Sequence, residues 1–192
     1  MAPTFFPTSA FRPSGDLWDR LNRNFSRLEE EKYWPENVYQ FEKEANNWPG
    51  DTEGRTFLAW WSLTQATGRT PRYLEEALSL WSKGVNEKGY FGHIYTEGIS
   101  EQQLSSHGWV LRALSEWEAF EPGCGARELS LPIVEELFLP CTDAIASYPI
   151  DPATRENAGE FSGTHQKQIG EWILSTDIAC FAIGMAGLID HA

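Results

Sequence analysis

Scarcity narrows this chain first. It has three cysteines in 192 residues, Cys124, Cys141 and Cys180, an odd set lying far apart with no C-x-x-C pair. Neither a disulfide framework nor a zinc ribbon is expected from that spacing. Positive charge is also short: 15 Lys and Arg stand against 28 Asp and Glu, a net charge of -13. Such a chain repels a phosphate backbone unless its basic residues cluster, and they do not, so nucleic acid is not an expected partner. No apolar run is long enough to span a membrane; 178–189 is uncharged but too short. Segment 1–14 is rich in Pro, Phe and Thr and lacks a basic stretch followed by an apolar one, so no secretory leader and a cytoplasmic home are expected. A phosphate-binding loop and a G-x-S-x-G elbow are missing too.

What remains is ample for a core. Hydrophobic residues make up 41% and charged residues 22%, the balance of a globular chain, and 1–192 is read as a single domain. Tryptophan is abundant, with nine copies. Its first use is packing and its second is stacking on the apolar face of a sugar ring.

The hydrophobic period is helical almost throughout, so the expected class is all-α. Helices are expected over 16–32 and over 52–67, the second closed by Gly68. A third is expected from Thr70 as cap and Pro71 at its first position, with Leu74, Ala77, Leu78, Trp81 and Val85 as its buried stripe. Ser100-Glu101-Gln102-Gln103 has the form of a capping box and opens a fourth helix to about Phe120. A shorter fifth fits 130–139, closed by Pro140, and a polar loop is expected over 148–170. Ser175-Thr176-Asp177 is expected to cap the last helix. No strand is expected beyond a short hairpin around 91–95. Successive helical hairpins arranged in a ring make an α/α toroid. Closing a ring of six hairpins needs about twice this number of helices, so the expectation is an incomplete or half barrel of about six helices. Its open edge would be covered by further helices or by a second copy of the chain.

The most informative segment is Trp48-Pro49-Gly50-Asp51-Thr52-Glu53-Gly54-Arg55. A proline-glycine turn brings Asp51, Glu53 and Arg55, with Trp48 beside them, to the start of a helix. Carboxylates, a guanidinium and an indole suit gripping sugar hydroxyls; they equally suit a helix start, where acidic groups satisfy free N–H groups and the dipole. Gln103 and His107 lie one helical turn apart on a face shared with Leu104 and Leu111. They fit a substrate contact or a satisfied core histidine. Glu160, in a glycine-flanked loop, and Asp177, at a helix start, are the carboxylate pair best suited to glycosidic chemistry, which needs one protonated and one ionised carboxyl. A solvated loop residue and a capping residue are the plain alternatives. Asp177, Cys180, His107 and His165 have ligand chemistry without metal-site spacing, so no cofactor is expected and zinc stays an open alternative.

The 48–55 run, the helix to Gly68, Arg72-Tyr73-Leu74-Glu75-Glu76, Gly89-Tyr90-Phe91-Gly92 and Glu101-Gln102-Gln103-Leu104-Ser105-Ser106-His107-Gly108 resemble the N-terminal part of the β-L-arabinofuranosidase-type glycoside hydrolases. The resemblance covers about 17–120 and is looser beyond. It implies an α/α-six barrel followed by β domains, a Gly-Glu loop holding the general acid, and a Glu-x-Cys metal-ligand pair on the next helix. Gly159-Glu160 and Asp177-Ile178-Ala179-Cys180 are similar in order, but with Asp for Glu and the cysteine one residue late. The family's adjacent cysteine pair, which carries its nucleophile, has no counterpart here. The function expected is acid/base hydrolysis of a glycan oligosaccharide, with Glu160 as acid and Asp177 as partner. A truncated glycan-binding or partner-packing domain and a toroid-type lyase or epimerase are the alternatives.

Overall fold

The computed structural model describes residues 12–39, 48–158, 166–176 and 180–192. Within them the fold is all-α, with one small sheet. The helices are α1 (Gly15–Arg27), α2 (Pro35–Val38), α3 (Asp51–Thr67), α4 (Leu74–Gly84), α5 (Glu101–Phe120), α6 (Ala126–Ile133), α7 (Pro152–Arg155) and α8 (Phe181–His191). No helix among the described residues is long and apolar enough to cross a membrane.

Helix α3 begins where the turn predicts. Gly50 enters it at φ 91, a left-handed conformation that suits glycine, and Gly68 leaves it at φ 69. Its inner face buries Phe57, Trp60 and Trp61. Ser100 caps α5 as its sequence predicts, its Oγ accepting from the Gln103 N–H at 3.3 Å. The box is not reciprocal, because the Gln103 side chain leaves the helix and bonds the carbonyls of Phe91 and His93.

Elsewhere the boundaries move. Helix α4 starts at Leu74 rather than at Pro71, because Pro71 opens a turn in which its carbonyl takes the Leu74 N–H at 3.3 Å. Helix α6 starts four residues ahead of the expected 130. Pro132 within it has no N–H to give and crowds the carbonyl four residues back. The chain then widens into a π segment, Val134–Phe138, and tightens into a 3₁₀ stretch, Leu139–Ser147. Pro140 sits in the first turn of that stretch, where a missing N–H is harmless, so it continues the chain instead of closing it. The expected loop over 148–170 contains α7, capped by Asp151 Oδ1 on the Ala153 N–H at 3.0 Å, and a strand. Helix α8 starts at Phe181, after the expected Ser175-Thr176-Asp177 cap; Asp177 lies outside the described residues.

Three short strands also correct the sequence reading: β1 (Ile99–Ser100), β2 (Lys167–Ile169) and β3 (Trp172–Leu174), in the order β1-β3-β2. Strands β2 and β3 form an antiparallel hairpin, and β1 joins β3 in parallel. None is long enough for a period of two to register against the helical background. Around 91–95 there is only an isolated bridge, between Val85 and Phe91.

The centre of the molecule is α5, with α3 on one flank and α8 on the other. Gly50 lies against His107 and Gly54 against Trp109 and Val110, while further along the Trp61 and Trp117 rings stack 5.1 Å apart. On the other flank Gly184 lies against Leu104 and Gly187 against Gly108. Numbers rise together along both seams, so α3, α5 and α8 run parallel and start at the same end. Strand β1 leads straight into α5 and pairs with β3, which leads toward α8, so the sheet ties two of those starts together.

Candidate functional site at the helix starts

The shared end gathers most of the residues singled out in the sequence, on two levels. The outer level is Asp51 and Arg55. Asp51 Oδ1 accepts from Arg55 Nε at 3.0 Å and from a terminal guanidinium nitrogen at 2.9 Å. The Arg55 side chain is 57% exposed and that of Asp51 is 21% exposed. The guanidinium carbon lies 4.9 Å from the Trp109 ring centroid, so a cation–π contact fixes it from below. Burial raises the Asp51 carboxyl above its ordinary range, and the neighbouring Arg55 opposes that shift. Trp48 is half-buried at the start of the same turn.

The inner level is closed to solvent. Glu53 is 1% exposed and its Oε2 accepts from the Gly50 N–H at 3.0 Å. Burial pushes its carboxyl up to about 7. His107 is fully buried. Its Nδ1–H donates to the Gln103 carbonyl at 2.7 Å, and its Nε2 accepts from the Phe91 N–H at 2.9 Å. Both ring nitrogens are therefore engaged in the neutral tautomer, and burial pushes the imidazole down to about 4. Gln103 Nε2 donates to Phe91 O at 3.0 Å and His93 O at 2.8 Å. In this arrangement Gln103 and His107 grip the 91–93 backbone rather than face an open cleft.

Beside them is a cluster that the sequence did not single out as a site. Glu101, 0% exposed, accepts from an Arg155 guanidinium nitrogen at 2.8 Å on each of its oxygens, and Arg155 is itself 2% exposed. The Tyr148 hydroxyl donates to Glu101 Oε2, and the Ser175 N–H donates to Oε1 at 3.0 Å. Arg155 also donates to the carbonyls of Thr176 and Pro149, at 3.0 and 3.1 Å. One carboxylate at the start of α5 thus anchors α7, the 148–149 segment and the approach to α8. Cys180 Sγ lies 3.3 Å from Thr176 Oγ1 and within electrostatic reach of Glu101, Arg155 and Asp51; burial raises its thiol. In the sequence Glu101 reads as a first-turn capping residue and as part of the 101–108 run that carries the family resemblance. Nothing in the pattern around Arg155, on a one-turn helix 54 residues away, marks it as the partner. In the sequence Tyr148 reads as a residue of the expected loop that either joins a site or has no role in one.

Glu160, Asp177 and His165 lie outside the described residues. Among the described residues no group of three or more His, Cys, Asp and Glu is arranged to hold a metal ion. Comparison with protein families, with curated proteins and with solved structures finds no match for the chain.

The two buried titrating groups make opposite contributions to stability. Glu53 keeps its proton to about pH 7 when folded but loses it near 4.5 when free, so the folded chain holds the extra proton and loses stability as pH rises across that window. His107 stays neutral down to about pH 4 when folded but protonates near 6.5 when free, so stability is lost as pH falls across its window. Glu53→Gln is expected to gain on the wild type by about 3 kcal/mol between those carboxylate limits. His107→Gln, a destabilised variant, is expected to recover a similar amount relative to wild type as pH falls from the upper to the lower imidazole limit. Urea unfolding at a series of pH values checks both; a pH-independent difference for either variant overturns the assignment of its slope.

Proposed function

We propose that the protein is a carbohydrate-active, glycoside hydrolase-like domain that handles a glycan oligosaccharide at the end where α3, α5 and α8 start. The observation that carries this reading is the Asp51–Arg55 pair. It is a largely buried carboxylate and an exposed guanidinium, locked to each other, with the guanidinium laid on Trp109, above an inner level whose polar groups are already committed. A carboxylate accepts hydroxyl hydrogen bonds and a guanidinium donates to hydroxyl oxygens, and a preformed pair spends little ordering entropy on doing so. In this reading α3, α5 and α8 are the inner wall of an incomplete α/α toroid. Glu160 is the general acid and Asp177 the partner carboxylate of a hydrolysis that follows acid/base chemistry.

The test is a panel of aryl-glycosides and natural oligosaccharides turned over by wild type, Glu160→Gln, Asp177→Asn and Asp51→Asn. Loss of the general acid is expected to lower kcat by roughly a hundredfold or more. Asp51→Asn is expected to act chiefly on KM, as loss of a hydroxyl contact should. Equal turnover by wild type and Glu160→Gln removes the acid assignment. A wild type that neither binds nor cleaves any member of the panel removes the carbohydrate reading altogether.

A further inference from the structure

Gln103 and His107 hold the backbone of a loop whose Tyr90 and Phe91 are buried in the core. Gln103 holds two of its carbonyls, His107 holds the Phe91 N–H at 2.9 Å, and Asn86 Nδ2 donates to the Gly92 carbonyl at 2.9 Å. From the other side Pro49 is pressed so close that a Cβ on Gly92 would lie 2.3 Å from its Cγ, and Gly92 has φ 88. The backbone over 91–93 is therefore fixed on both sides, by buried polar groups of α5 and by the turn that delivers Asp51.

What this clamped backbone presents outward is a pair of rings. His93 is exposed and Tyr95 half-buried, and neither belongs to the buried core. Their centroids are 4.9 Å apart with the planes at 88°, an edge-to-face pair. They follow Gly92 directly, and Gly92 abuts the residue two positions before Asp51. An aromatic pair that follows Gly92, itself packed on Pro49 two residues before Asp51, is a poor site for a phosphate-bearing ligand in a chain of net charge -13. It suits a neutral ring with one apolar face and hydroxyl edges.

Building on the reading above, we infer that His93 and Tyr95 form the stacking wall of the saccharide site. One sugar ring lies with its C–H face on the Tyr95 ring, which His93 meets at right angles, while its hydroxyls reach Asp51 and Arg55. Gln103 and His107 are then positioning residues, which act on the sugar through the loop they hold.

The experiment measures binding of a panel of neutral plant and microbial oligosaccharides by titration calorimetry, with melting temperature read on every sample. Wild type is compared with Tyr95→Phe, Tyr95→Ala and the double variant His93→Ala/Tyr95→Ala. The double variant is expected to melt like wild type, since both side chains lie outside the core, and to bind at least about tenfold more weakly. Tyr95→Phe keeps the ring and is expected to bind within a few-fold of wild type. A folded double variant that binds like wild type overturns this inference and leaves the carbohydrate reading standing. Tyr95→Phe failing as badly as Tyr95→Ala overturns stacking as the mode of contact. A wild type that binds nothing on the panel overturns both readings at once. If the double variant melts early, the pair of single Tyr95 variants decides the matter alone.

Discussion

Arg155→Met is expected to be among the most damaging single substitutions in the chain, costing the fold roughly 3–5 kcal/mol. Glu101 would be left fully buried without its guanidinium partner, keeping the Tyr148 hydroxyl and the Ser175 N–H and hydroxyl. The Thr176 and Pro149 carbonyls would lose their donor as well. Removing both charges is a different matter: in Arg155→Met/Glu101→Leu no charge is stranded, and a large part of the loss should return. The two single variants and the double variant form a cycle whose coupling energy is read from urea unfolding. For a chain of this length the single Arg155 variant should melt on the order of 10 °C lower. A loss below about 1 kcal/mol would mean that the pair behaves as a solvent-exposed one, which its geometry does not allow.

That pair also shows where the sequence stops being legible. Local chemistry could be read: the Gly50 turn, the Ser100 cap, the Gly68 stop and the apolar stripes all act within a few residues. Helices α3 and α5 fall within a residue of their expected starts for that reason. The Asp51, Glu53 and Arg55 cluster was legible as a helix start, and the structure separates it into an outer pair and a sealed carboxyl, which no spacing rule could do. The Glu101–Arg155 bond depends on how α7 folds back, a contact across 54 residues with no periodic signature. The strands were missed because two or three residues carry no period. They form because β3 completes the pairing of segments that the helices have already brought close.

Glycine is where sequence and packing meet most sharply, and Gly187→Ala tests it. In an ordinary helix interior this change stabilises by about 1 kcal/mol, because alanine surrenders less backbone entropy. Here the sign is expected to reverse. A Cβ on Gly187 would lie 2.1 Å from the Gly108 carbonyl oxygen and 2.4 Å from its Cα. Both are backbone atoms of α5 and cannot rotate away, so the helices themselves must part. Gly54→Ala meets the same obstacle on the opposite flank, with Val110 N at 2.5 Å. Each is expected to destabilise by roughly 2–3 kcal/mol, the range of an overpacked core. Because the seams lie on different sides of α5, the two losses should add. They should differ at the proposed saccharide site: parting α3 from α5 moves Asp51 and the Pro49–Gly92 contact, so Gly54→Ala should weaken the proposed glycan binding at a temperature where it is still folded. Gly187→Ala leaves that flank in place and should bind more nearly like wild type. Chemical unfolding and calorimetry on the two variants check both halves. A stabilised Gly187→Ala would mean that α5 and α8 do not close to backbone contact, and with that the common start of the three helices would lose one of its two seams.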